Sequence, residues 1–300
     1  MRAPAEAYRP HETYVAPARP HSELWRFLLG GILAGFAYLS LSQIYFSTAY
    51  ALAQPNSAAL HRDLVSGATP LTMFLLLFSF GFMAVGVGIS ARILHKRSFL
   101  SLLGPMRVFW RDLRRVLFAL LGVALAIVLL PPYDMGGAFV PNLEPRLWLS
   151  LLPLSLIAVF VQVSAEEIVF RGYVQQQLAA RFKSPLIWMV LPAFLFALGH
   201  YLPDMAGENA LTIAIWAGIF GILMADLTAR SGSLGPAIAV HFFNNVSAIL
   251  IVALPDNLSG LSLYLAPFSM AEGEALQAWL PVDFATMFVC WLAARVAIRR

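Results

Sequence analysis

Two adjacent carboxylates, an arginine, two histidines and an asparagine stand in stretches that otherwise hold few polar groups. The first set is Ala165-Glu166-Glu167-Ile168-Val169-Phe170-Arg171. The second is Phe196-Ala197-Leu198-Gly199-His200, and the third is His241-Phe242-Phe243-Asn244-Asn245. On a helix, residues four apart share a face. Glu167 then meets Arg171, Phe196 stacks on His200, and His241 lies one turn from Asn245. Glu166 is rotated about 100° from Glu167 and faces another neighbour. Arg171 therefore holds Glu167 as structure, and Glu166 is free to exchange a proton as general base and acid. Amide hydrolysis needs an activated water, a proton for the leaving amine and donors for the oxyanion. Glu166 and His200 suit the orientation and deprotonation of water. His241 and Asn245 suit donation to the oxyanion. Taken singly, each set also fits a plainer role: an interfacial ion pair, a core histidine bonded to a backbone carbonyl, or an asparagine bonding between helices. Asn244, turned away from Asn245, reads as packing or capping.

The elements that carry these residues are apolar. Of 300 residues, 60% are hydrophobic and only 12% charged, and the mean hydropathy is +0.75. A soluble domain is roughly 45–50% apolar and about 25% charged, so too few charges exist to cover a soluble surface. A soluble enzyme and a disordered chain are excluded. The single cysteine, Cys290, excludes a disulfide scaffold and argues against a cysteine-based metal site. The expected fold is all-α: a polytopic transmembrane helix bundle of about eight spans, at 27–52, 71–91, 116–132, 147–165, 186–202, 210–226, 236–254 and 282–298. With the N-terminus in the cytoplasm, every basic residue except Arg62 and Arg146 falls on the cytoplasmic side, as the positive-inside rule expects. The C-terminus is then cytoplasmic too. The pI of 9.4 reflects this topology and contact with anionic lipid rather than nucleic acid.

Four regions follow: a Pro-rich, disordered cytoplasmic tail at 1–23; spans 1–3 at 24–146; a core of spans 4–7 at 147–255; and an outer segment with span 8 at 256–300. Gly31 and Gly35 form a GxxxG pair expected to pack against a neighbouring helix, as are Gly81, Gly86 and Gly88. The polar segment 166–183 follows the fourth span with no Gly or Pro between the two, so the helix is expected to run on past the bilayer and to end at Pro185. One conflict of depth arises. Glu166 and His241 fall near one membrane face and His200 near the other, unless Pro192 kinks its helix or the fourth helix is long enough to carry Glu166 deeper.

The three motifs together, Glu-Glu-x-x-x-Arg, Phe-x-x-x-His and His-x-x-x-Asn, resemble the signature of the CAAX protease and bacteriocin-processing family. That family holds intramembrane endopeptidases, among them the type II CAAX prenyl protease and the bacterial abortive infection proteins. The resemblance covers roughly residues 147–255. It implies glutamate-dependent proteolysis with Glu166 activating water, supported by His200, His241 and Asn245, and with Glu167, Arg171 and Phe196 as structural support. It also implies a hydrophobic, lipidated or membrane-proximal peptide substrate. Similar proteins are often described as metalloproteases, and Glu166, His200 and His241 offer a His-His-Glu zinc set. The helical His-Glu-x-x-His motif is missing, so no obligatory cofactor is expected, with zinc as the alternative. The expected partners are membrane lipid and the peptide substrate, in a bacterial inner membrane. Two other classes use the same residues: an ion-coupled transporter, since intramembrane Glu and His mark proton relays, and a non-catalytic immunity or peptide-binding protein.

Overall fold

The computed structural model describes residues 4–130, 137–270 and 272–299. Ten helices carry the architecture: α1 (Arg9–Val15), α2 (Leu24–Leu52), α3 (Ser57–Ser66), α4 (Pro70–Ile93), α5 (Met106–Leu129), α6 (Pro145–Arg181), α7 (Leu186–Gly199), α8 (Pro203–Ser231), α9 (Gly235–Ile251) and α10 (Gly273–Ile298). All eight expected spans are helical, with shifted ends. Helices α2, α4, α6, α8 and α10 are long and apolar enough to cross a membrane. Helices α7 and α9 are shorter. Helix α5 begins ten residues before its expected span and carries Arg107, Asp112, Arg114 and Arg115 in its first half. The last two residues of that expected span lie outside the described residues.

Local chemistry sets the helix starts. Thr69 and Thr72 bond reciprocally through side chain and backbone, with Pro70 between them, and so open α4. The Glu144 carboxylate accepts from the Leu147 amide at 2.9 Å, ahead of α6. Helix α8 ends on Gly232, whose left-handed φ of 73° caps it. A Cβ there would meet the Pro10 carbonyl oxygen at 2.7 Å, so the same glycine lets the N-terminal segment approach.

The core lies between α5, α6, α8 and α9. Val116 and Leu120, Ala158 and Val163, Phe220 and Met224, and Ile238 and Val240 form one contiguous buried cluster. Against it, α2 packs on α4. The Ser90 hydroxyl donates to the Gly30 carbonyl at 2.7 Å, and a Cβ on Gly86 would lie 2.5 Å from the Ala34 carbonyl oxygen. Gly86 therefore serves the close approach expected of it. Gly31 and Gly35 do not. A Cβ on either would meet nothing within 4 Å. Both line an apolar groove of about 460 Å³, together with Val169 and Tyr173 of α6 and Leu195 of α7. Their spacing puts them on one face, but among the described residues no atom lies close enough to that face to need a glycine there.

Two features close the ends of α6. At its Pro145 end, β1 (Val140–Pro141), β2 (Val252–Ala253) and β3 (Tyr264–Leu265) form a small sheet in the order β1-β3-β2. The first pair is antiparallel and the second parallel. At its Arg181 end lies the N-terminal segment, which corrects the expectation of a disordered tail. It is helical at Arg9–Val15 and continues as a 3₁₀ turn to His21, with His11, Tyr14, Val15 and Ala18 buried. The Tyr14 hydroxyl bonds the Leu102 and Arg171 carbonyls at 2.7 and 3.2 Å. The Tyr8 hydroxyl donates to Asp226 at 2.7 Å. Distant partners thus order a segment whose prolines and charges read as disorder.

Candidate active site

Helix α6 runs unbroken through both glutamates, although Pro153 and Gly172 lie within it. Directly after Glu167 its winding loosens into a π-helical stretch, Ile168–Gln175. Similar stretches occupy Leu186–Val190, just before Pro192 on α7, and Ser247–Ile251, just after Asn245 on α9. Each of the three motif helices therefore contains a locally unwound stretch, adjoining the polar residues on α6 and α9 and preceding Pro192 on α7. Such π turns often occur at functional sites. Near Pro192 the wider turn also accommodates the missing N–H donor.

Glu167 is wholly buried, and its Oε1 gathers two partners. Arg171 Nη1 donates to it at 3.1 Å, and His241 Nδ1 donates at 2.9 Å from α9. Arg171 is itself buried. Its Nη2 donates to the Gly221 carbonyl at 3.1 Å, and its guanidinium lies over the Phe196 ring at 5.0 Å. The expected i,i+4 pair is present, and Glu167 also fixes which His241 nitrogen carries a proton. A carboxylate only accepts, so Nδ1 is the donor and Nε2 is turned to the other side. On that side Nε2 stands 3.4 Å from Glu166 Oε2.

Glu166 points away from Glu167, as the helix geometry dictates. Its Oε2 accepts from Gln162 Nε2 at 2.7 Å, and Gln162 Oε1 accepts from Asn245 Nδ2 at 2.8 Å. Asn244 donates to Asn245 Oδ1 at 3.1 Å, so it orients that amide rather than merely packing or capping. The walls are aromatic. Phe220 meets the His241 ring edge-to-face at 5.1 Å, and Trp216 stacks on Phe220.

His200 joins through Phe196. The two rings lie 4.4 Å apart, and Phe196 in turn faces His241 at 6.1 Å. His200 Nδ1 bonds the Phe196 carbonyl at 2.9 Å. A carbonyl only accepts, so Nδ1 carries the proton and Nε2 presents a lone pair in the neutral ring. Among the described residues, His200 makes no direct bond to Glu166. Glu166 lies near the middle of the 37-residue α6, not at its end, and His200 reaches its neighbourhood through Phe196.

Six of the seven expected residues, Glu166, Glu167, Arg171, Phe196, His241 and Asn245, therefore share one cluster, with His200 at its edge. Sequence reasoning misses Gln162. It is a lone amide one turn before Glu166 in an apolar run, and that spacing is its only signal. Of the alternative zinc set, Glu166 and His241 lie side by side and His200 stands at the edge of the cluster. Among the described residues, no three His, Cys, Asp or Glu side chains gather as metal ligands. The bond from His241 Nδ1 to Glu167 leaves Nε2 facing Glu166.

Comparison with known proteins points to the same region. Residues 148–247 match the family model "Rce1-like: Type II CAAX prenyl endopeptidase Rce1-like". The stretch holds all seven expected residues. The chain is also 23% identical over 260 residues to the uncharacterized protein YyaK of Bacillus subtilis (strain 168), covering 83% of this chain and 84% of that protein. No solved structure matches. The long apolar helices are those of an integral membrane protein, and residues 148–247 are similar to a family of endopeptidases.

Proposed function

We propose, from the Rce1-like domain and the site within it, that the chain is an intramembrane endopeptidase in which Glu166 activates the attacking water. One observation carries the reading. Of two adjacent carboxyls, Glu167 is bound to Arg171 and His241, while Glu166 meets only an amide and the Nε2 side of His241. Two carboxyls with different partners are suited to different roles.

In this mechanism Glu166 takes a proton from water as the water oxygen attacks the peptide carbonyl carbon. The bare Nε2 of His200 helps to orient that water. Asn245 donates an N–H to the developing oxyanion, and His241 does so when Nε2 is protonated. The proton held by Glu166 then passes to the leaving nitrogen, and the C–N bond breaks. No obligatory metal takes part. The substrate is a hydrophobic, lipidated or membrane-proximal peptide. The apolar groove supports this choice, because Val169 in its wall lies one turn from Glu166 on α6. The distribution of basic residues supports cytoplasmic termini, and the membrane is the bacterial inner membrane.

The test is cleavage of lipidated and hydrophobic peptides by the reconstituted protein. Glu166→Gln keeps the shape and removes the base. It is expected to lower turnover by at least about 100-fold at unchanged thermal stability. Wild-type turnover in that variant would refute the assignment.

A further inference from the structure

The geometry points to a residue outside the three motifs. Gln162 sits one turn before Glu166 and is 6% exposed in an apolar span. An amide in such a place is costly unless both its ends are bonded. Both are, and to the two groups on which the proposed chemistry depends. Nε2 reaches Glu166 at 2.7 Å, and Oε1 receives Asn245 from the facing helix at 2.8 Å.

The direction of these bonds follows from the groups. A carboxylate accepts, so the Gln162 NH2 faces Glu166 and its oxygen faces Asn245. The Asn245 oxygen is taken by Asn244, so its NH2 faces Gln162. Three amides therefore donate in one direction, from Asn244 through Asn245 and Gln162 to the carboxylate. Aligned bonds of this kind polarise one another. Asn245 keeps a second N–H beyond the one spent on Gln162. The anchor is also placed on the regular side of the helix. The π-helical stretch begins at Ile168, two residues after Glu166, whereas Gln162 lies in the regular α-helical turns before it.

We propose that Gln162 is the positioning residue of the site. It holds the Glu166 carboxyl in one orientation and ties it to the Asn245 amide, so that base and oxyanion donor keep a fixed separation across α6 and α9. The proposal rests on the endopeptidase reading. Gln162 acts through Glu166 and Asn245, to which it is bonded, and takes no proton itself.

The experiment uses two variants of the full chain. Gln162→Met keeps length and volume but loses both bonds. Gln162→Glu keeps an oxygen for Asn245 but loses the N–H to Glu166. Both are expected to lower kcat by about 10–100-fold, the cost of a misplaced group, with KM within about 2-fold of wild type. A packing role would spare the Met variant. In a cycle with Asn245→Leu, the Gln162→Met loss is expected to shrink, because the tie is already broken. Wild-type kcat in Gln162→Met, full rescue by Gln162→Glu, or additive losses would each overturn the proposal. A second measurement needs no peptide. The infrared carboxyl band of Glu166, identified by its disappearance in Glu166→Gln, is expected to shift in Gln162→Met. An unmoved band overturns the proposal. A moved band beside a wild type that cleaves nothing supports the bridge and overturns the endopeptidase reading instead.

Discussion

Glu166 and Glu167 are neighbours in sequence with opposite structural status. Glu167 neutralises a buried guanidinium, and both side chains are at most 1% exposed. Removing one charge of such a pair strands the other and costs about 3–5 kcal/mol. Glu167→Gln is therefore expected to lose several kcal/mol in equilibrium unfolding in detergent, or to fail to accumulate. Glu166→Gln has no ion-paired arginine to strand and is expected to change stability by less than about 1 kcal/mol while losing activity. Equal stability losses in the two variants would contradict this division. The division is legible in the sequence, because a rotation of about 100° separates adjacent side chains on a helix and Arg171 follows Glu167 at i+4. Gln162 is not legible in the same way. An uncharged amide in an apolar run draws attention only once its two partners are seen. The link from Glu167 to His241 crosses between helices, and no periodicity within one helix reports it.

At the scale of elements, the same residue type plays two roles on the face between α2 and α4. Gly86 is pressed against the Ala34 backbone, whereas Gly35 opens on the groove. Gly86→Leu is expected to lower stability by about 1–3 kcal/mol through overpacking, seen as a lower midpoint in thermal unfolding. Gly35→Leu is expected to leave the midpoint within about 2 °C of wild type, since the loss of a helix-weakening glycine offsets any small strain. It fills the groove, and KM for lipidated peptides is expected to rise several-fold at unchanged kcat. A raised KM for unlipidated peptides to the same degree would separate the groove from the lipid. The eight apolar stretches are readable from hydropathy, but their ends are not. Helix α6 continues well past its apolar part because Arg171, Gln175 and Gln176 are buried by α8 and the N-terminal segment rather than solvated. The lengths of α7 and α9 follow from local breaks: a non-helical Leu202 before Pro203 follows α7, and β2 follows α9.

Across the whole molecule, the N-terminal segment joins elements far apart in sequence. His11 lies against the Trp188 ring at 4.5 Å and faces Gln175 and Tyr14. Burial, with a smaller push from Arg19, lowers its pKa from 6.5 to about 4. The unfolded chain therefore takes up a proton near pH 6.5 that the folded chain refuses until about pH 4. Stability falls as pH drops through that window and levels off below it, by at most about 3 kcal/mol. His11→Gln is expected to flatten this dependence, measured as unfolding midpoint against pH. An unchanged slope would place the effect elsewhere. This segment is unreadable from sequence because its order comes from partners such as Leu102, Arg171 and Asp226, none of them near in the chain. The motif order, by contrast, is readable because each motif lies within one helical turn. The account turns on Glu166 as the activating base, and single-turnover cleavage of a membrane-peptide library tests that most directly. Wild type and Glu166→Gln are compared, each with and without a strong chelator. Cleavage by wild type that survives chelation and is lost in the variant is the predicted result. Cleavage by Glu166→Gln at the wild-type rate, or a wild-type loss on chelation that zinc restores, would contradict it.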